Sequence, residues 1–296
     1  MSSITLIGPV TEDIIKKDDA DYKLTGGAVY YQCSVLSNLK INTNAVITIS
    51  KDDIELLKSF PDDVKIIPIL VDETVKFKNI YPDNNPNHRI QKACIPHNPI
   101  NINDISESIK NSDALLLGPL SPYDIPLKTI KELYKLGIPL YLGAQGYLRH
   151  LEGNKIVLKP WEDFKKFLKY IKILFIDENE AKIILGKNIP LGLVAKKLTL
   201  FGPEEVIITL GSSGSLIYSK KLDKLYEIPS FTPKKIEDPT GLGDTYMAAY
   251  TARKLETDNP KLCGLFASAA SVIKLENKGA FNGNKKLIKE KCKNFK

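Results

Sequence analysis

The sequence has little of what builds metal clusters, disulfide scaffolds or nucleic-acid interfaces. Its four cysteines (Cys33, Cys94, Cys263, Cys292) form no Cys-x-x-Cys pair, and its three histidines (His88, His97, His150) are not spaced as ligands. A disulfide framework and a structural zinc are therefore poor readings. Only three of the cations are arginine (Arg89, Arg149, Arg253), and the lysines are spread along the chain. The net charge of +7 thus reads as solvated surface with a mild attraction for anions. Basic clusters at Lys165-Lys166 and Lys285–Lys296 lack the interleaved aromatics of a single-strand binding platform, so no nucleic-acid partner is expected. The longest apolar runs, such as Ala114–Leu117 and Val206–Leu210, are strand-sized and far below the roughly 20 residues of a bilayer crossing. With no basic leader and no Asn-x-Ser/Thr sequon, the chain is expected to be cytoplasmic, with no membrane partner.

What is present is an ordinary globular composition, 43% hydrophobic and 26% charged over 296 residues. That is long for one domain, but single α/β domains reach this size. Short, mostly continuous apolar runs predict buried parallel strands at Ile4–Gly8, Ala45–Ile49, Val64–Val71, Ala114–Leu117, Ile138–Leu142, Ile173–Ile176 and Val206–Leu210. Between them, helical patterns run over Ala28–Leu39, Ile125–Leu136, Glu178–Leu185 and Leu191–Leu200. After Gly243 the chain reads as all helix: Asp244–Leu255, Pro260–Leu275 and Lys285–Lys293. The alternation predicts a doubly wound, mostly parallel α/β sheet flanked by helices, as a single domain over residues 1–296.

One region breaks the rhythm. Thr74–Tyr81 alternates with period two, Pro82–Asn87 is rich in turn formers, and His88–Ile95 is again strand-like. An antiparallel hairpin inside a parallel protein, with one polar and one apolar face, suits a lid over a site or a contact in a homodimer.

The segment richest in chemistry is Asp238-Pro239-Thr240-Gly241-Leu242-Gly243-Asp244. Proline and two glycines make a tight loop that delivers the start of a helix. The backbone N–H groups from Gly241 to Asp244 would be unsatisfied donors reinforced by the helix dipole, an anion site. A carboxylate there repels phosphate, so Asp244 reads either as a base for an attacking hydroxyl or as an ordinary N-terminal acid. A P-loop motif is absent, and Tyr246 stands where a Rossmann loop needs its third glycine or alanine.

In its company this loop resembles the C-terminal signature of the ribokinase or PfkB family of carbohydrate and nucleoside kinases. Five further motifs follow in order from Gly8 to Ala280. Gly8-Pro9-Val10-Thr11-Glu12-Asp13 resembles the first strand and the acid that holds substrate hydroxyls. Gly26-Gly27 before a helix resembles the double glycine on which a sugar lies. Asp177-Glu178-Asn179-Glu180 is similar to the Asn-x-x-Glu motif that organises magnesium and phosphate. Thr209 to Ser215, with Gly211 and Gly214, is similar to the strand and turn lining the nucleotide phosphates. Ala267–Val272 with Asn277-Lys278-Gly279-Ala280 resembles the helix and loop beside the adenine.

The resemblance implies a ribokinase-like fold with a small β-sheet lid, formed by a segment near residues 14–25 and the hairpin at 74–95. It implies an ATP-dependent, Mg2+-requiring kinase acting on a hydroxyl of a small polyol or sugar. Asp244 would be the base, with Gly241, Leu242 and Gly243 as anion donors. Asp13, Gly26, Gly27, Gln145 and Arg149 would face the substrate, and Thr209, Gly211, Gly214, Asn277 and Gly279 the nucleotide. Glu180 and Asp177 would hold the metal, largely through water. Departures are Asp177 in place of the usual asparagine, Leu242 in place of alanine, and Gly143–Arg149, which lacks the acid many sugar kinases carry there. The short lid and the Gln145-Gly146-Tyr147-x-Arg149 segment look most like the small archaeal members that phosphorylate myo-inositol. A nucleoside acceptor, with Tyr30, Tyr31 and Phe77 as a slot for the base, is the alternative of the same chemistry. A binding protein that has lost catalysis is the alternative of another class.

Overall fold

Strand residues that send alternate side chains into two separate cores build the centre of the molecule. The computed structural model describes residues 2–17, 20–80, 90–105 and 107–293. Its strands in chain order are Ser3–Pro9 (β1), Thr11–Lys17 (β2), Ala20–Gly26 (β3), Asn42–Ser50 (β4), Val64–Val71 (β5), Val75–Ile80 (β6) and Ile90–Cys94 (β7). They continue with Ala114–Leu117 (β8), Leu140–Gly143 (β9), Arg149–Glu152 (β10), Lys155–Leu158 (β11), Ile173–Asp177 (β12), Glu205–Thr209 (β13), Ser215–Ser219 (β14) and Lys224–Ile228 (β15). The helices are Ala28–Asn38 (α1), Leu127–Tyr134 (α2), Gln145–Leu148 (α3), Phe164–Leu168 (α4), Glu178–Leu185 (α5), Leu191–Thr199 (α6), Leu242–Lys254 (α7), Pro260–Leu275 (α8) and Lys285–Lys293 (α9).

The large sheet has the order β15-β14-β13-β12-β9-β8-β1-β4-β5. It is parallel from β5 to β13, and β14 and β15 extend it antiparallel. Within β8, Ala114 and Leu116 point to one core while Leu115 and Leu117 point to the other. In β12, Ile173 and Phe175 divide from Leu174 and Ile176 in the same way. Period two is thus present, but because both faces are buried it reads in sequence as an unbroken apolar run. One core is closed by residues of α1, α7, α8 and α9, the other by residues of α2, α4 and α6.

Local chemistry sets the boundaries. Pro126 is the N-cap of α2, so that helix starts two residues later than its apolar pattern suggests. Pro139 has no N–H to give a ladder, although its carbonyl still accepts from the Leu115 amide at 3.0 Å, and β9 begins only at Leu140. The 3-10 turns at Lys51–Ser59 and β15 carry charges that break any apolar run, and β14 is flanked by serines that shorten its apolar run to three residues.

A second sheet of six strands has the order β10-β11-β7-β6-β2-β3. The hairpin expected at 74–95 is its β6–β7 pair, antiparallel from Lys76↔Cys94 to Ile80↔Ile90. The turn expected at Pro82–Asn87 lies outside the described residues. The described residues of the segment 14–25 fall in β2 and β3, and β10–β11 widens the sheet beyond what the sequence pattern suggested. Its inner face buries Val75, Phe77 and Ala93 against Ala28 and Leu120. On the other face Glu12 pairs with Lys23 at 3.1 Å and Lys76 at 3.7 Å.

At the carboxyl ends of β1 and β8, beneath α1, two glycines let the strand ends and the helix approach. A Cβ on Gly8 would lie 2.4 Å from the Gly118 carbonyl oxygen, and one on Gly118 would lie 2.8 Å from Ala28 Cβ. Neither a backbone carbonyl nor a methyl can swing aside. Gly8→Ala is therefore expected to destabilise the fold by about 1–3 kcal/mol, read as a lowered urea midpoint. An unchanged midpoint would show that the strand ends part freely.

Candidate active site

Gly241 makes the turn into α7 with φ 73°, the left-handed region that favours glycine. It also lies against the ring of Tyr31, where a Cβ would come within 2.4 Å of ring carbons. No side chain caps α7, and the first-turn amides have no acceptor within the helix. Residues from Pro239 to Asp244 line a cavity of about 380 Å³, a volume in the range of small-ligand sites.

The small sheet forms one wall of this cavity. Thr11 and Asp13 sit two apart on β2, and the Thr11 hydroxyl donates to Asp13 Oδ1 at 2.7 Å. Gly26 is paired across from Thr11, and a Cβ there would lie 2.5 Å from Asp13 Oδ2 and 2.6 Å from Thr11 Oγ1. Glycine at this position is what leaves room for the carboxylate. Phe77, in register with Asp13, and Arg149 at the start of β10 complete the wall, with the guanidinium 5.8 Å from the Phe77 ring centroid. Gly27, with φ 96°, starts α1, and Gln145 starts α3; both line the cavity.

The opposite wall is the carboxyl end of β12 and β13. Asp177 caps α5 by accepting from the Glu180 amide at 2.8 Å, and the Glu180 carboxylate accepts from the Asp177 amide at 2.9 Å. Asp177 is in register with Thr209, and all three line the cavity. Glu180 is only 4% exposed, which sets it apart from the solvated acids that commonly open a helix. Burial, then the charge of Asp177, raises its pKa to about 7. Asp244 is half-buried and lines the cavity. Burial raises its pKa to about 6, with the Arg149 charge opposing the rise.

Of the residues singled out in the sequence, Asp13, Gly27, Gln145, Arg149, Asp177, Glu180, Thr209 and Gly241 through Asp244 come together on one cavity. Gly26 stands behind Asp13. Gly211, Gly214, Asn277 and Gly279 do not line it. Asn277 donates its side-chain amide to the Ile273 carbonyl at 2.8 Å, and the Gly279 amide donates to Asp238 Oδ2 at 3.1 Å. Tyr31 and Phe77 line the cavity, whereas Tyr30 packs on Phe60 with ring centroids 5.4 Å apart. Thr11 was missed, although its place two residues before Asp13 puts it on the same strand face. Leu120 and Met247 also line the cavity and carried no signal in the sequence.

Residues 148–287 match the sequence model of the pfkB family carbohydrate kinases. The match covers a little under half of the chain. A nucleoside kinase of Methanocaldococcus jannaschii is 40% identical over 76 residues, which are 26% of this chain and 24% of that protein. A nucleoside kinase of Methanothermobacter thermautotrophicus is 36% identical over 107 residues, 36% of this chain and 32% of that one. The matched stretches thus span a quarter to a third of these relatives' length. Similarity in structure reaches further: a pyrophosphate-dependent kinase in the ribokinase family, solved with sulfate, superposes with a TM-score of 0.83 at 25% identity. It covers 94% of this chain and 97% of its own. The fold is ribokinase-like α/β, with a large mostly parallel sheet and a second small one.

The two raised carboxyls fix a direction for stability. A carboxyl whose folded pKa exceeds its unfolded value helps the fold most below the unfolded pKa, and that help is lost as pH rises through the folded one. Asp244 and Glu180 therefore lower stability across about pH 4 to 7. Glu180→Gln, which keeps an acceptor for the Asp177 amide, and Asp244→Asn are each expected to add about 1–2 kcal/mol at pH 8 and almost nothing at pH 4. Denaturant titrations at the two pH values decide this, and a gain equal at both would refute it.

Proposed function

We propose that this protein is a kinase that transfers a terminal phosphoryl group from ATP to a hydroxyl of a small polyol or sugar, with myo-inositol the favoured acceptor. The observation that carries the reading is the meeting, in one cavity, of an uncapped helix N-terminus, the Asp244 carboxyl and the hydroxyl-binding side chains of Asp13 and Gln145.

With a pKa of about 6, Asp244 is ionised at neutral pH yet basic enough to accept a proton. As the acceptor oxygen bonds to phosphorus, its proton passes to Asp244, and the bond from phosphorus to the leaving phosphate oxygen breaks. The amides of Gly241, Leu242 and Gly243 offset charge on the transferring group. Asp13 and Gln145 orient acceptor hydroxyls, with the Gly26 and Gly27 backbone beneath. Arg149, beside both Asp244 and Glu180, moderates the carboxylate charge in the cavity. The small sheet would act as the lid that excludes water.

Asp177 and Glu180 fit a divalent ion, because burial makes the Glu180 charge costly and a cation would offset that cost, and magnesium accepts one or two carboxylates plus phosphate oxygens and water. Bound there, Mg2+ would neutralise charge on the donor phosphates.

One observation favours a second reading for the donor. Gly211, Gly214, Asn277 and Gly279, the residues expected around a nucleotide, stand off the cavity, which ends at Thr209. A pyrophosphate donor needs only the anion loop, in keeping with the likeness to a pyrophosphate-dependent kinase. For the acceptor, Tyr31 and Phe77 on the cavity leave a nucleoside as the alternative.

The test is phosphorylation of myo-inositol, ribose, fructose, fructose 6-phosphate, adenosine and cytidine with ATP or pyrophosphate. One pair is expected to turn over, with Asp244→Asn about 100- to 10,000-fold slower and kcat falling tenfold per pH unit below about 6. Donor binding without any transfer would favour the silent binding protein. On the acceptor wall, Gly26→Ala is expected to raise acceptor KM about tenfold and leave donor KM within about twofold, because it displaces Asp13 and Thr11 and neither belongs to the anion loop. Equal effects on both constants would remove Asp13 from the acceptor site.

A further inference from the structure

Lys274, in the last turn of α8, is the largest charged side chain the fold seals from solvent, at 0% exposure. Burial pulls its pKa down, and Asp238 opposes that pull. Its partners lie in the loop that leads to α7. The ammonium donates to the Asp238 main-chain oxygen at 2.7 Å and lies 3.1 Å from Asp238 Oδ2. It also sits 5.8 Å from the centroid of the Tyr31 ring, the ring against which Gly241 packs.

Asp238 passes this anchorage on. Its Oδ1 accepts from the Thr240 amide at 2.9 Å and its Oδ2 from the Gly279 amide at 3.1 Å. Burial pushes the Asp238 carboxyl up, but the Thr240 amide and the Lys274 charge outweigh it and hold the group below its usual range. The Glu237 amide donates to the Leu275 carbonyl at 2.9 Å, and the Ser271 hydroxyl approaches the Leu242 carbonyl at 3.4 Å. Two stretches, 237–242 and 271–279, are thus laced around one ammonium, and the first of them forms the anion loop. A buried ammonium has to be paired, and here the partner atoms belong to the residue that leads into the anion loop.

We infer that Lys274 is a positioning residue for the phosphate donor: through Asp238 and Tyr31 its ammonium sets the Thr240–Gly243 backbone, and its fixed positive charge lies behind the loop that receives the donor's anionic end. The inference rests on the kinase reading above. It differs from it in that Lys274 touches neither substrate and acts only on the loop.

The test measures affinity without turnover. Calorimetry with Mg-ATP, Mg-pyrophosphate, myo-inositol, ribose and adenosine is run on the wild type, Lys274→Met, which keeps the apolar stem, and Lys274→Ala, which leaves empty the channel that the stem filled. Lys274→Met is expected to weaken the donor about tenfold and to leave acceptor affinity within about twofold. Lys274→Ala is expected to recover about threefold or more of its lost donor affinity when propylammonium chloride supplies the missing chain and charge. The Met variant, with its channel filled, should not respond. Donor affinity unchanged in Lys274→Met, or equal loss for donor and acceptor without amine rescue, overturns the inference. If Lys274→Met does not fold, Lys274→Ala with propylammonium decides alone: restored donor affinity supports the role and absent restoration overturns it. A wild type that binds donor but transfers nothing sinks the kinase reading, and the same affinities still decide the role of Lys274. A wild type that binds neither donor overturns both.

Discussion

The site depends on a single constraint, the common direction of the parallel strands. Because β1, β4, β8, β9, β12 and β13 run the same way, the loops that leave their carboxyl ends gather along one rim, and the helices that follow begin there. Helix starts carry unpaired N–H groups, so the rim is electropositive before any side chain is counted. The start of α7 is brought to this rim from farther along the chain, and the start of α5 arrives directly from β12. These two starts meet the cavity differently. At α5 the donors are taken up by the Asp177–Glu180 capping box, whereas at α7 no side chain takes them up. The amides free to meet an anion are therefore at α7, and at α5 each carboxylate keeps one oxygen beyond the capping box that can meet a cation.

Electrostatics follow from that division. The cavity holds Asp13, Asp177, Glu180 and Asp244 against one arginine among its lining residues. Such an excess of carboxylates would be costly if all were ionised in a dry site, and the raised pKa values of Glu180 and Asp244 show the cost. Proton uptake is one relief and an incoming cation is another. A tri- or tetra-anionic donor arriving with its metal would meet amides on one side and carboxylates on the other, which is an arrangement that binds the complex better than either ion alone.

Much of this was legible from the residues because it is local. A loop with two glycines before a helix, an acid in the first turn, and apolar runs of strand length each state a backbone preference that the fold honours. Asp13 and Gly26 were legible one by one, but their relation was not: that glycine is needed because Asp13 Oδ2 fills the space a Cβ would take is a fact of register between β2 and β3. The six-stranded extent of the small sheet was hidden because β10 and β11 are four residues each and half-exposed, too short to show a period. Lys274 was invisible for a different reason. A lysine in an amphipathic helix reads as solvated, and only the approach of Asp238 from a distant loop makes burial tolerable. Asn277 and Gly279 were singled out by resemblance, yet their polar groups are engaged by the end of α8 and by Asp238.

The two walls of the cavity belong to different sheets, and this bears on how specificity can be set. The region matched to the family, residues 148–287, contains Arg149, Asp177, Glu180, Thr209 and the loop from Gly241 to Asp244, and excludes Asp13, Gly26, Gly27 and Gln145. The excluded residues lie on β2, β3, the start of α1 and the start of α3, and their side chains are fixed by strand register and helix starts. The anion loop, by contrast, is braced from behind by Tyr31 and α8. A change at Phe77 or Thr11 alters the acceptor wall without moving a residue that braces the loop. On the proposed reading, supports that differ for the two walls would let the shape of the acceptor pocket vary while the anion loop stays in place.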